Sequence, residues 1–380
     1  MKILNSQAIL QQKRWVWIDS DKGISIILVA FGHCLMTLTG HGLALDSYPI
    51  FTYINVFLFG FRMPLFFIIS GIFIGSGLKR KGLKEYITNR ADIVLFPLLV
   101  WGIIEISLQL LTEKYTHNGI GPITYLYLII DPRKTSHFWY LHALFSIGVM
   151  YAVLRSKFKI KPAIQLFIGL FLYLISAYIH THTINGYFFT DICEFYFFFA
   201  LGDFISNVVL LEKNSKRIAS FTLFVPLLIV FSFMQYQFAK LNLHGGEEGI
   251  YFVEHQRPFF FLFEALLGCT ISINFSFLLQ RFNAFQFLRV IGFHSLYIYA
   301  MQIIVMTASR ELLVHIFKIT YIPLLFPMIW VLGIFIPILF YNFCMKFNLW
   351  WFFTFRKPSK LYRKVAVTSE LPVLNTPLSY

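Results

Sequence analysis

The sequence has few charged residues: Asp, Glu, Lys and Arg make up 13% of its 380 residues, whereas 58% are hydrophobic. A soluble domain carries roughly 25% charged residues. This composition therefore excludes a protein whose whole surface faces water, and it favours a lipid bilayer as the solvent. The first residues also lack the apolar core of a secretory signal peptide, so the first hydrophobic segment is interpreted as an uncleaved anchor.

Metal-binding and nucleotide-binding motifs are missing as well. The four cysteines have no metal-ligand spacing and fall in apolar segments, which is typical of small buried side chains: Cys34, Cys193, Cys269 and Cys344. There is no Gly-rich phosphate loop, which disfavours an ATP-driven pump, and there is no internal repeat. We expect neither a bound metal nor a permanently bound cofactor.

Long apolar segments dominate what is present. A helix needs about 20 mostly apolar residues to span a bilayer, and ten segments qualify: 23–40, 50–76, 91–112, 137–154, 163–180, 187–210, 218–239, 258–280, 288–309 and 321–346. The predicted fold is all-α, a polytopic membrane protein with about ten transmembrane helices. Residues 1–350 form its membrane domain, and residues 351–380 form a polar tail that is predicted to be disordered.

The 32 Lys and Arg residues lie mostly in the loops on one side of these segments. Cytoplasmic loops are enriched in such residues, so both termini are predicted to be cytoplasmic. The same distribution explains the net charge of +14 without a nucleic-acid partner.

Two basic residues share one face of the first helix. Lys22 and His33 are eleven positions apart, which is close to three full turns, and they lie about 16 Å apart along the axis. Lys22 therefore lies at the cytoplasmic boundary and His33 near the middle of the membrane, where an ionisable group is a functional candidate. Packing is the alternative role for His33, and Asp19 or Asp21 could either cap the helix or take part in the chemistry.

The second helix carries Arg62 followed by Pro64. Arg62 is predicted to lie at the depth of His33, and the proline is predicted to break the helix there. A histidine and an arginine beside a broken helix indicate a hydrated cavity, although Arg62 could instead be the structural partner of a carboxylate.

The remaining candidates lie toward the outer side. Three carboxylates could bind the hydroxyls of a sugar, or could pair with neighbouring helices: Glu105, Glu194 and Glu264. Trp139 and His142 could contact the face of a sugar ring, or could serve only in packing. On the inner side, Lys22 and Arg90 could hold the phosphates of a donor.

Five motifs in order resemble the acyltransferase 3 family of membrane acyltransferases. They are Lys22 and His33 within IDSDKGISIILVAFGH, FRMPLFFIISG at 61–71, NRADIVLFPLLVW at 89–101, HFWYLHALF at 137–145 and IGFHSLYIYAMQ at 291–302. Three positions depart from the family pattern. Arg62 and Gln302 stand where histidine is usual, and Asp92 and Ile93 follow Arg90 where a second basic residue often stands.

The resemblance implies transfer of an acyl group, usually acetyl, from acyl-CoA to a hydroxyl of a surface polysaccharide or lipid-linked sugar in the cell envelope. His33 corresponds to the family's essential histidine and Lys22 to its paired basic residue. The expected partners are membrane lipid, acyl-CoA and a glycan acceptor, and the expected location is the inner (plasma) membrane. We predict that His33 acts as general base or relays the acyl group, and that Arg62 stabilises the oxyanion or orients His33.

The alternative reading of the sequence is a transporter of polysaccharide or lipid-linked sugar, in which His33 and Arg62 would handle substrate or protons. A transporter knockout would lose the glycan itself, whereas an acyltransferase knockout would lose only the ester on it.

Overall fold

The computed structural model describes residues 9–10, 15–39, 41–116 and 120–357. Within these ranges the chain contains helices and no β-strand. The α-helices are α1 (Val16–Leu38), α2 (Ile50–Phe57), α3 (Arg62–Ile72), α4 (Ile74–Arg90), α5 (Phe96–Thr116), α6 (Thr124–Ile130), α7 (Trp139–Ser156), α8 (Pro162–Thr181), α9 (Phe188–Val209), α10 (Glu212–Ile218), α11 (Phe221–Leu243), α12 (Phe252–Gln256), α13 (Pro258–Phe282), α14 (Phe287–Phe293), α15 (Ser295–Glu311) and α16 (Ile322–Lys346).

Eight stretches of the described residues are long and apolar enough to cross a membrane, or nine if a bent pair of helices counts as one span. That pair is α14 and the helix that follows it, which meet at 80°. The predicted multi-pass, all-helical architecture is confirmed, whereas the count of ten is not. Helix α7 forms where the fourth span was predicted but is not among the eight, because its Trp, Tyr, His and Arg residues lower its mean hydropathy.

Helix α1 lies at the centre of the bundle, where it contacts α2, α3, α13, α14, α15 and α16. Glycine allows the closest of these approaches: a Cβ on Gly292 would lie 1.8 Å from the backbone oxygen of Asp19. Asp21 does not cap α1, since its carboxylate accepts hydrogen bonds from Ser272 (2.6 Å) and Ser276 (3.0 Å). These two hydrogen bonds join α1 to α13. They also give the buried Asp21 carboxylate polar partners, without which its burial would be costly.

The segment after α16 folds back onto the bundle. Trp350–Phe352 forms a short 3₁₀ turn, and the buried Phe353 packs against Trp101 and Tyr341. The Asp92 carboxylate accepts hydrogen bonds from the backbone N–H groups of Phe355 (2.8 Å) and Arg356 (3.1 Å). The first part of the predicted tail is thus docked, and residues 358–380 lie outside the described residues.

Candidate active site

His33 lies on α1 at the wall of a cavity of about 60 Å³. Its ring is half-buried and touches three side chains from other parts of the bundle. Nδ1 lies 2.7 Å from the amide nitrogen of Gln302, and the ring centroid lies 5.5 Å from that of His137 and 6.0 Å from that of Tyr299. With Nδ1 engaged by the amide, Nε2 is the nitrogen available to a molecule in the cavity.

Arg62 lines the same cavity from the start of α3. Its Nη1 donates to the backbone oxygen of Leu28 and to the side-chain oxygen of Asn55, both at 3.1 Å. The guanidinium carbon lies 4.7 Å from the centre of the Phe59 ring, a cation–π contact. Among the described residues, no carboxylate lies within 4 Å of Arg62. Arg62 therefore does not form the close ion pair that was the alternative to a functional role. A buried guanidinium with no carboxylate within 4 Å among the described residues is suited to bind an anion in the cavity.

The helix break next to the buried Arg62 comes just before Pro64. Helix α2 ends at Phe57 and α3 begins at Arg62. Pro64 is the third residue of α3, where a backbone N–H would have no partner in the helix. Its ring would clash with the carbonyl of Gly60 if the helix were continuous, which accounts for the interruption upstream of it.

A larger, basic chamber lies toward the Lys22 end of α1. It consists of two adjoining cavities of about 570 and 190 Å³, and both are lined by Lys22, Ser70, Arg90 and Ile93. The wider cavity also carries Arg80, Lys81, Asn89 and Trp15. The Nε of Arg90 donates to the hydroxyl of Tyr86 (3.1 Å), which leaves the rest of the guanidinium at the chamber wall.

Tyr299 separates the basic chamber from the His33 cavity. It lines both the narrower part of the chamber and the His33 cavity. Its hydroxyl donates to the backbone oxygen of His137, and its ring packs edge-on against Tyr140 at 5.0 Å. Tyr299 is therefore shared by the walls of the two spaces.

The five predicted acceptor residues do not converge on the His33 cavity. Only Trp139 lines it, with the Arg133 guanidinium carbon 4.6 Å from its ring centre. The other four have different neighbours. Glu105 faces His137 (3.9 Å), and Glu194 faces Arg133 (3.4 Å) and His180 (3.3 Å). The fully buried Glu264 packs against Gly60, and His142 packs against Phe188. The structure thus brings His33, Arg62 and Trp139 together on one side of Tyr299, and Lys22 and Arg90 together on the other.

Two residues of the α11–α13 connection, which sequence reasoning missed, complete the wall of the His33 cavity. Tyr251 and Glu254 both line it, and Glu254 lies 3.9 Å from Arg133. Glu254 is outside the membrane-spanning helices, and burial, followed by the nearby Glu194, raises the pKa of its carboxyl to about 8. A five-residue connecting helix such as α12 is too short to give a periodic signal in the sequence, so only the folded chain places Glu254 in the wall of the His33 cavity.

Comparison with known proteins identifies the family of the chain. Residues 15–342 match the family model described as an acyltransferase domain. The chain is also similar to a nodulation protein, NolL, of Mesorhizobium japonicum (strain LMG 29417 / CECT 9101 / MAFF 303099), with 36% identity over 138 residues. That alignment covers 36% of this chain and 35% of the relative. No solved structure matches the chain significantly.

The family match spans α1 to α16 and includes every residue that lines the two spaces on either side of Tyr299. It does not favour the transporter alternative. The chain belongs to this acyltransferase family.

Proposed function

We propose that the protein is an integral membrane O-acyltransferase that moves an acyl group, acetyl in the first instance, from acyl-CoA to a hydroxyl of a surface polysaccharide or lipid-linked sugar. One observation carries the proposal. In a member of an acyltransferase family, a basic chamber and a cavity holding a histidine and a buried arginine share one lining side chain, Tyr299. The membrane is the inner (plasma) membrane, and the basic chamber faces the cytoplasm.

The basic chamber receives the donor. Lys22, Arg80, Lys81 and Arg90 supply positive charge for the phosphates of CoA, and Trp15 offers a flat apolar surface for its adenine. The narrower part, lined by Phe66, Tyr140 and Leu144 among others, leads inward to Tyr299. An extended pantetheine arm in this passage would bring the thioester to the side of His33.

The reaction is then a single acyl transfer. Nε2 of His33 takes the proton of the acceptor hydroxyl while the hydroxyl oxygen bonds to the acyl carbon. The carbon–sulfur bond breaks, its electron pair leaves on sulfur, and the proton passes from His33 to the CoA thiolate. The Arg62 guanidinium stabilises the negative charge that develops on the carbonyl oxygen.

The acceptor enters the His33 cavity from the other side of Tyr299. Trp139 and Tyr251 provide aromatic surface for a sugar ring, and Asn55 and Glu254 provide polar atoms for its hydroxyls. Glu105, Glu194 and Glu264 then support this wall from behind, instead of contacting the acceptor.

The proposal is tested by mass spectrometry of cell-envelope glycans with the gene, without it and with His33→Ala. Loss of an ester with the glycan otherwise intact is expected in both altered strains, whereas loss of the glycan itself would point to a transporter. His244→Ala, which changes an exposed histidine outside the cavity, serves as a control. Each variant is quantified in the membrane fraction. An unchanged ester content with His33→Ala at normal abundance would overturn the proposal.

A further inference from the structure

We propose that Gln302 is the positioning residue for His33: during catalysis its amide is half a turn away from the orientation in the structure, so that its oxygen accepts the Nδ1–H of the imidazole and a lone pair remains on Nε2, the nitrogen available to the substrates. This inference rests on the proposed function, because it assigns the state in which His33 must be held to act as a base. It adds a residue whose effect on the reaction passes entirely through His33.

The contact itself is short and buried. Gln302 lies on α15, is fully shielded from solvent, and has its amide nitrogen 2.7 Å from Nδ1 of His33. Its other amide atom is buried without a hydrogen-bond partner among the described residues. The side chain therefore has one polar contact, and that contact is with His33.

The two ends of the amide have opposite effects on the imidazole. An amide N–H can only donate to a bare Nδ1, which places the ring proton on Nε2 and removes its capacity to take a proton. An amide oxygen can only accept from Nδ1–H, which leaves Nε2 with its lone pair. A half-turn of the amide exchanges oxygen and nitrogen without moving other atoms. In either orientation one end lacks a partner, so the burial of the amide does not choose between them.

The proposed reaction requires one of these two amide orientations. A general base needs a lone pair on the nitrogen nearest the hydroxyl, so only the orientation with oxygen toward Nδ1 is productive. The other neighbours of the ring do not set the tautomer: His137 and Tyr299 meet it through ring contacts, and Arg62 is held by Leu28 and Asn55. Gln302 thus has the role that a carboxylate has in a catalytic triad, but without its charge.

Substitution with glutamate separates the two orientations, since an ionised carboxylate accepts hydrogen bonds and cannot donate them. Gln302→Glu is expected to keep kcat within about threefold of the unaltered protein. Gln302→Met, similar in length but unable to accept from Nδ1–H, is expected to lose about 10²-fold or more in kcat, by analogy with loss of the orienting group in a triad. The KM for acetyl-CoA should stay the same in both variants, because the donor chamber is untouched.

The assay uses ¹⁴C-labelled acetyl-CoA, the purified full-length protein, and membranes of a strain lacking the gene as the source of unmodified acceptor. A well-folded Gln302→Glu variant without activity would show that the amide donates, and would overturn the inference. Normal kcat in Gln302→Met would overturn it equally, and this variant decides if Gln302→Glu fails to accumulate. Failure of the proposed function is distinct: the unaltered protein would transfer no label, or His33→Ala would transfer as much.

Discussion

Gly32 is the position where the smallest change should have the largest effect on activity. It precedes His33 on α1 and has no side chain, and the Arg62 guanidinium and the Asn55 amide occupy the free space. A Cβ built on Gly32 would lie 2.7 and 2.8 Å from the two terminal nitrogens of Arg62 and 2.8 Å from the Asn55 oxygen. Ordinary contacts are about 3.5–4 Å, so Gly32→Ala must push these groups away by about 1 Å.

The costs to stability and to activity differ. Overpacking destabilises by about 1–3 kcal/mol, whereas alanine stabilises a helix interior by about 0.5–1 kcal/mol relative to glycine. The net loss of stability is therefore at most about 2.5 kcal/mol. Displacing a catalytic group by 1 Å can cost about 10²-fold in rate, so kcat should fall by about that factor in a protein that still folds.

The assay is acetyl transfer from labelled acetyl-CoA, paired with thermal unfolding of the purified protein. Gly121→Ala is the matched control, because a Cβ there would meet nothing within 4 Å, and it should leave both measurements unchanged. A Gly32→Ala variant with kcat within twofold of the original protein would refute the assignment of Arg62 and Asn55 to the catalytic geometry.

Three further outcomes are expected. Arg90→Gln should raise the KM for acetyl-CoA by about tenfold to 10²-fold with little change in kcat, because a charged hydrogen bond contributes about 1.5–3 kcal/mol; a change in kcat alone in steady-state assays would contradict the donor chamber. Asp92→Ala should lower the free energy of unfolding by about 1–3 kcal/mol, since the N–H groups of Phe355 and Arg356 lose their acceptor; an unchanged melting temperature would argue against the docked segment. The pKa of Glu254 is raised from 4.5 to about 8. Between these pH values the folded chain retains a proton that the unfolded chain releases, so the contribution of Glu254 to the free energy of unfolding falls as pH rises. The melting temperature of Glu254→Gln should therefore rise relative to that of the original protein from pH 5 to pH 8, and a constant difference would show that Glu254 is not buried as described.

Local pattern in the sequence was enough to identify the residues that lie on one helix or at one break. The spacing of Lys22 and His33 is fixed by helical geometry, and Pro64 marked the interruption beside Arg62. Both inferences used only residues that lie within a few helical turns of each other in the sequence.

Depth could be predicted, but the direction of a side chain around its helix could not. Counting residues places Glu105 at a level in the bundle, yet its neighbours decide that it faces His137 and not the cavity. Tyr299 and Glu254 enter the site from segments more than 200 positions away from His33, and no periodicity links such residues. The docking of Phe353 was missed for the same reason, since its partners Trp101 and Tyr341 lie on two different helices.

Tyr299 has a consequence for the membrane as well as for the chemistry. A protein that crosses a membrane several times must not dissipate the ion gradients across it, and here two cavities share Tyr299 as part of their walls. We expect a smaller side chain at this position to join the two cavities, and the joined space would then offer protons a path that the phenol ring now blocks.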